Sequence, residues 1–388
     1  MKVILGCDPL LQPLTGIGHY TQRLSKGLLE TSSIEELKLF AHGKFFDSSL
    51  IDTCIADPIN NNQHIHLNFF GKLRSSLAKS QTAVKVYSLL SPLLNNLALK
   101  NHQDSIFHSP NFILPNFEGK KVVTIHDLST VRFPEYHPKA RVNYVNTQLE
   151  RSLNQADHII TDSEFIKAEL IDMFPIAKNK VSAIHLGADA IFQVRPSEQC
   201  SSITKFGLEY KKFFLFVSTI EPRKNIEKLL SAFCLYRENN PNGFPLILVG
   251  SKGWNDVAIQ NIIEKLTRKG WVKHLGYVAQ SDIPILYSSA KALLFPSIYE
   301  GFGLPVLEAL QSGTPVLTGK NSSMSEITQK NAALVDVNDV DNMAKLIERL
   351  DTDDVWSLKL IEGGLNRAKD FSWKKCIHET LEVYKSLN

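Results

Sequence analysis

The sequence has no long hydrophobic run: its N-terminal apolar stretch stops at Asp8 and Pro9. That is too short for the apolar region of a signal peptide and far too short to span a bilayer, so a cytoplasmic protein is expected. Cysteine is scarce, with five residues scattered at positions 7, 54, 200, 234 and 376. Neither CxxC nor a Cys/His cluster occurs, which argues against a disulfide scaffold or a zinc module. Net charge is nearly absent, 43 Lys and Arg against 40 Asp and Glu leaving +3, so the global balance does not suggest nucleic acid as a partner. Neither half carries GxGxxG followed about 20 residues later by an acid, so a dinucleotide-dependent dehydrogenase is disfavoured. No DxD-type metal motif stands out, since Asp351-Thr-Asp-Asp354 reads as a solvated linker or a helix start. No metal and no resident cofactor are expected. Acidic residues are locally missing too: residues 58–103 contain none.

What is present points to two domains, the natural division of 388 residues. Short apolar runs recur at 2–8, 37–42, 64–70, 105–109, 122–127, 158–163 and 181–187 in the first half. In the second half they recur at 213–218, 246–250, 272–275, 292–296, 315–318 and 332–335. Most are rich in Val, Ile, Leu and Phe without alternation, the pattern of parallel strands buried on both faces. Helical spacing fills the gaps, as in Ile17, Tyr20, Leu24 and Leu28, or Ile226, Leu229, Leu230 and Phe233. Alternating strands and helices in both halves predict an α/β protein of two Rossmann-like, doubly wound domains. The expected boundaries are 1–192 and 193–370, with the seam near the polar stretch Arg195-Pro-Ser-Glu-Gln-Cys-Ser-Ser. A C-terminal helix, 371–388, is expected to pack back toward the first domain.

Four segments carry candidate chemistry. In Phe295-Pro-Ser-Ile-Tyr-Glu-Gly-Phe-Gly-Leu-Pro-Val-Leu-Glu-Ala-Leu a buried strand leads through a glycine loop to a helix that Pro305 is suited to open. Glu300 then lies outside the strand's carboxyl end and Glu308 one turn into the helix, with Gly301, Phe302, Gly303 and Leu304 between them. Free amides at that helix start suit an anion, and the flanking carboxylates suit sugar hydroxyls. Taken alone, the same glutamates are explained equally by a solvated loop charge and a complement to the helix dipole.

In Phe214-Leu-Phe-Val-Ser-Thr-Ile-Glu-Pro-Arg-Lys-Asn-Ile a strand is followed by Arg223 and Lys224, a fork and a compact charge for phosphate oxygens, or merely a solvated pair. Pro13-Leu-Thr-Gly-Ile-Gly-His-Tyr places Gly16 and Gly18 at a helix start, which allows close backbone approach to a ligand but equally makes a plain turn. Val122-Val-Thr-Ile-His-Asp-Leu brings His126 and Asp127 to a strand end. There a histidine can steady a phosphate or a sugar, or simply tie down a loop. Gly250 opens a further turn, Gly250-Ser-Lys-Gly-Trp254, placed to line a nucleotide pocket.

Together these strings resemble the large family of retaining glycosyltransferases often called family 4. Glu300 to Glu308 looks like its E-x7-E motif, TIEPRKN like its diphosphate loop, PLTGIGHY like its N-terminal glycine loop, and His126-Asp127 like its HD motif. The likeness covers nearly the whole chain and is strongest to bacterial mannosyl- and rhamnosyltransferases of lipopolysaccharide O-chain assembly. One departure is that Ser218 and Thr219 stand where many members carry an additional Arg, which leaves Arg223 and Lys224 as the phosphate cations. The resemblance implies a GT-B fold, two domains facing across a cleft, and hexosyl transfer without a metal. Glu300 would hold donor sugar hydroxyls and Glu308 the ribose. Asp127 would orient the His126 imidazole or meet the acceptor, and Val278, in His274-Leu-Gly-Tyr-Val278, would lie on the strand that meets the nucleobase through main-chain groups. Ser163 would lie near the cleft.

GDP-mannose is the expected donor, with GDP-rhamnose and UDP- or dTDP-sugars as alternatives. The expected acceptor is a glycan or lipid-linked glycan such as a growing O-antigen. A sugar-nucleotide epimerase and a silent nucleotide-sugar-binding module are the rival readings. Residues 58–103 combine Lys72, Arg74, Lys79, Lys85 and Lys100 with many leucines. This stretch reads either as a basic amphipathic element for an anionic membrane surface, peripheral on the inner face, or as core helices with solvated lysines.

Overall fold

The apolar runs become strands whose side chains are almost wholly buried, as at Val3–Leu5, Phe213–Phe216 and Ala292–Phe295. A computed structural model describes residues 1–11, 14, 16–53, 93–251, 253 and 257–388. The expected strand 64–70, most of the basic stretch 58–103, and Pro13, Thr15, Lys252 and Trp254 lie outside the described residues. The chain divides into two units. One is Met1–Asp162, Ile166–Ile184 and Trp373–Asn388; the other is Ser163–Phe165 and His185–Ser372.

In the first unit the strands are β1 (Lys2–Gly6), β2 (Glu36–Ala41), β3 (Lys44–Phe46), β4 (Ile106–Ser109), β5 (Lys120–Ile125), β6 (His158–Thr161) and β7 (Val181–Ala183). They form a sheet in the order β3-β2-β1-β4-β5-β6-β7, parallel except for β3, which returns antiparallel along β2. Sequence patterning does not reveal β3, because it is three residues long and largely exposed. It follows a two-residue turn in which His42 and Gly43 both have positive φ, the form that suits the twist of a hairpin. Ile4, Phe107, Val123, Ile125, Leu149, Leu153 and Ile159 share one core cluster. The Trp373–Leu387 helix belongs to this unit. Its Tyr384 hydroxyl lies 2.5 Å from His108 Nδ1, and its Trp373 ring packs near Tyr20.

In the second unit β8 (Phe214–Val217), β9 (Leu246–Val249), β10 (Val272–Gly276), β11 (Ala292–Phe295), β12 (Val316–Gly319) and β13 (Ala333–Val335) form a sheet in the order β10-β9-β8-β11-β12-β13. Every pairing is parallel. The chain winds outward from β8 in one direction and from β11 in the other. The carboxyl ends of β8 and β11 therefore flank a topological switch point, the place where open α/β sheets take ligands. Leu229, Leu230, Phe233 and Tyr236 line the buried face of the Ile226–Asn239 helix, as their spacing predicts.

The expected seam at 192/193 is displaced, since the second unit already includes the chain from His185 onward. The polar stretch at Arg195 leads into a 3-10 helix, Ser197–Phe206, that buries Cys200 and Ile203. Ser288 Oγ also bonds the Gln193 carbonyl at 2.7 Å. The acidic string near residue 353 is a helix start: Asp353 accepts the Trp356 N–H at 2.9 Å and caps Asp354–Ala368. Among the described residues no helix is long and apolar enough to cross a membrane.

Candidate functional site

Two loops at the β8/β11 switch point bring the expected charges together. After β8 the chain makes a 3-10 turn, Pro222–Lys224, and Asn225 in a left-handed conformation releases it into the next helix. After β11 the loop is stitched to that turn: Ile298 N–H donates to the Arg223 carbonyl at 2.9 Å and Ser297 Oγ to the same oxygen at 3.1 Å. Glu300 consequently meets both cations, Lys224 Nζ at 2.6 Å from Oε1 and Arg223 Nη1 at 3.2 Å from Oε2. Arg223 Nη2 also bonds Glu221 Oε1 at 3.0 Å. Glu221 is a buried fourth charge that the sequence reading did not single out.

The four charges balance, and all four side chains are largely shielded from solvent. Burial by itself would raise the Glu300 carboxyl; Lys224 and Arg223 outweigh it and hold the pKa at about 2. Burial and the neighbouring Arg223 push the Lys224 ammonium below its ordinary value. Desolvating such an array is costly, and charges kept under these conditions mark candidate functional sites.

The loop 300–303 is held from below. Ser323 Oγ donates to the carbonyls of Glu300 at 2.7 Å and Phe302 at 3.0 Å, and Ser163 Oγ donates to the Gly301 carbonyl at 2.7 Å. Gly303 has φ +105°, a conformation that L side chains rarely adopt, and serves as N-cap of the Leu304–Gln311 helix. The phenyl ring of Phe302 is buried against Phe371. Glu308 lies in this helix but makes no ion pair with the cluster. Burial pushes its carboxyl up to about 8, and the nearby Tyr287 hydroxyl pulls the other way. Gly250, with φ +139°, packs so tightly that a Cβ would stand 2.0 Å from the Ser218 carbonyl oxygen. Its N–H donates to the Gly276 carbonyl at 2.8 Å, tying the loops after β8, β9 and β10 into one floor. The Val278 side chain is buried.

The first unit holds the remaining expected residues. Gly16 is exposed at the start of the Gly16–Leu29 helix, with nothing within 4 Å of a Cβ built there, whereas Gly18 is buried against Leu14. His126 is buried with both ring nitrogens engaged, Nδ1 at 2.7 Å from Asp162 Oδ2 and Nε2 at 2.8 Å from the Pro110 carbonyl oxygen. Asp162, not Asp127, therefore orients the imidazole. Asp127 instead accepts the Ser129 N–H at 2.8 Å, because its short side chain reaches its own chain two residues on. Burial opposes charge on His126, but Asp162 outweighs it and raises the pKa above the ordinary histidine value.

Comparison with known proteins places this arrangement in a class. Residues 202–367 match the family described as "Glycosyl transferases group 1", and residues 83–191 match "Glycosyltransferase Family 4". Over 388 residues, all of both chains, the sequence is 37% identical to the O-antigen chain mannosyltransferase B of Escherichia coli. Sucrose-phosphate synthase from Thermosynechococcus elongatus has a similar structure, with TM-score 0.72 and 20% identity over 100% of this chain and 99% of that one. WaaG, a glycosyltransferase involved in lipopolysaccharide biosynthesis, gives a TM-score of 0.66 and 12% identity over 99% of each chain. Fold and site together define a GT-B glycosyltransferase. The chain belongs to the group 1, or family 4, glycosyltransferases.

Proposed function

We propose that this enzyme transfers mannose from GDP-mannose onto a growing, lipid-linked bacterial surface polysaccharide of the O-antigen type, retaining the anomeric configuration. The observation that carries the reading is the Arg223–Glu300–Lys224 cluster at the β8/β11 switch point. The full-length likeness to a chain named for O-antigen mannosyl transfer supports the choice of sugar. Lys224 and Arg223 neutralise the charge that grows on the departing diphosphate, helped by the amides that open the Leu304–Gln311 helix. Glu300 turns to the sugar hydroxyls and Glu308 to the ribose. The acceptor hydroxyl attacks from the face the diphosphate leaves, and the departing phosphate takes its proton. This route needs no metal and no carboxylate nucleophile.

The test is a thermal-shift panel of GDP-, UDP- and dTDP-sugars, followed by transfer assays with and without EDTA. Selective stabilisation by GDP-mannose, with transfer unaffected by the chelator, is expected through mass-action linkage. Stabilisation by UDP- or dTDP-sugars alone overturns the donor assignment, and a trapped glycosyl-enzyme on Glu300 or Asp127 overturns the same-face route. Attachment to an anionic membrane surface belongs to the same proposal. Its support is the acid-free, basic stretch 58–103, together with Leu93, Leu94 and Leu97 exposed on the helix at 93–99. Flotation with anionic liposomes at low salt tests it, and an enzyme that stays at the bottom of the gradient counts against it.

A further inference from the structure

Arg223 is held by two carboxylates rather than one. Its Nη2 goes to Glu221 at 3.0 Å and its Nη1 to Glu300 at 3.2 Å, with the Tyr299 carbonyl also accepting from Nη1. A guanidinium prefers to close both arms of its fork on a single carboxylate. Here the fork is split, and the two oxygens of Glu300 are shared between Arg223 and Lys224. We propose that Glu221 is a positioning residue for donor binding: it keeps one arm of Arg223, so that the other arm and Glu300 are free to pass to the substrate. The inference rests on reading this loop as the diphosphate site.

When the donor enters, its diphosphate competes for Lys224 Nζ and Arg223 Nη1, and Glu300 is released toward the sugar. Glu221 sits on the same turn as Arg223, and the chain just before it is pinned: Ile220 N–H donates to the Ser251 carbonyl and Gly253 N–H to the Ile220 carbonyl, both at 3.0 Å. It therefore holds Nη2 throughout. Without Glu221 the fork closes on Glu300, and the site loses a free carboxylate and a phosphate cation at once.

The experiment compares Glu221→Ala, Glu221→Gln, Arg223→Ala, Lys224→Ala and the Glu221→Ala/Arg223→Ala double variant. GDP and UDP are titrated by calorimetry, melting temperatures are recorded, and KM is separated from kcat. Glu221→Ala should weaken the preferred nucleotide about tenfold, as losing a charge-assisted hydrogen bond does, and should raise KM more than it lowers kcat. Glu221→Gln, which keeps an acceptor for Nη2, should lose less. The double variant should bind no more weakly than Arg223→Ala alone. Binding by Glu221→Ala and Glu221→Gln within twofold of wild type, tighter binding, or full additivity in the double variant overturns the proposal. If Lys224→Ala and Arg223→Ala also leave nucleotide binding unchanged, the reading of the loop as a diphosphate site fails with it. If they weaken binding and Glu221→Ala does not, only the role of Glu221 fails.

Discussion

The two units share one architectural idea and fill it with different chemistry. Each is a doubly wound sheet with a switch point, between β1 and β4 in the first and between β8 and β11 in the second. The second unit gathers Glu221, Arg223, Lys224 and Glu300 there, four largely shielded charges that sum to zero. The first unit gathers mostly neutral groups. His108 bonds Thr124 at 2.8 Å and Tyr384 at 2.5 Å, and Tyr20 bonds the same Thr124 at 3.0 Å. Burial drives the His108 pKa down to about 3, so this network carries no charge of its own. A charge-balanced cluster can exchange partners with an incoming anion at low cost, whereas a closed hydrogen-bond network mainly fixes geometry. On the proposed reading the substrate's charge goes to the second unit, while the first unit's network fixes geometry.

The largest expected effect tests the charged side. Glu300→Gln removes the carboxylate that both cations share and should lower kcat/KM about 1,000-fold, the upper range for losing one preorganised electrostatic contact. It should also remove the acid-side stability linked to Glu300. Its folded pKa of about 2 lies below the ordinary 4.5, so its contribution is present above pH 4.5 and lost as pH falls toward 2. A loss of less than tenfold would mean that the cluster is structural.

The next test compares the glycine loops. Gly250→Ala combines φ +139° with a Cβ 2.0 Å from the Ser218 oxygen. It should cost about 2 kcal/mol or more and lower the melting temperature by roughly 4–8 °C. Gly16→Ala meets nothing within 4 Å and should leave stability unchanged, or raise it slightly through helix propensity. Equal melting shifts would erase the distinction between a packed floor and an open helix start.

Much of this contrast could be read from residue order, for identifiable reasons. Parallel strands buried on both faces write themselves as unbroken apolar runs, so the β8–β13 sheet was legible nearly in full. So was the string from Glu300 to Glu308, because a strand, a glycine loop and a proline-opened helix have to follow one another in sequence. The strand β3 was not, since three mostly exposed residues paired by a turn leave no run. The Ser197–Phe206 segment misled because only Cys200 and Ile203 face inward from a polar string. Asp162 was missed as the partner of His126 because it lies 36 residues away, while Asp127 adjoins the histidine in sequence and points elsewhere. Glu221 was visible in TIEPRKN, and the available signal was an acid two residues before the arginine expected to meet phosphate.

A smaller effect concerns Glu308, the expected ribose ligand that stands apart from the charged cluster. Burial raises its pKa from 4.5 to about 8, so across that window the folded state binds a proton that the unfolded state has released. Stability should therefore fall as pH rises from about 4.5 to about 8. Glu308→Gln should flatten that slope in urea titrations performed across the same range. An unchanged slope would show that Glu308 is ionised in the folded protein, despite its burial.

The smallest effect probes the His126–Asp162 pair in the first unit. The two ring nitrogens of His126 both face oxygens, Asp162 at 2.7 Å and the Pro110 carbonyl at 2.8 Å, an arrangement that favours a proton on each. Around the ring stand Asp162 and Asp127, which favour the charge, the neutral His108, and Tyr20 edge-on at 4.9 Å. With its pKa raised above 6.5, His126 contributes stability that is fully present below that pH and is lost as pH rises through the raised value. Asp162→Asn removes the counter-charge but can donate an amide N–H to a neutral Nδ1, so the ring should shed its proton rather than the fold its packing. The expected cost is roughly 1–2 kcal/mol at pH 6, shrinking toward zero at high pH, and side-chain nitrogen NMR should show an imidazolium in wild type and a neutral ring in the variant at pH 7. A wild-type ring already neutral at that pH would show that Asp162 does not hold a second proton on His126, and the pH-dependent stability assigned to the pair would go with it.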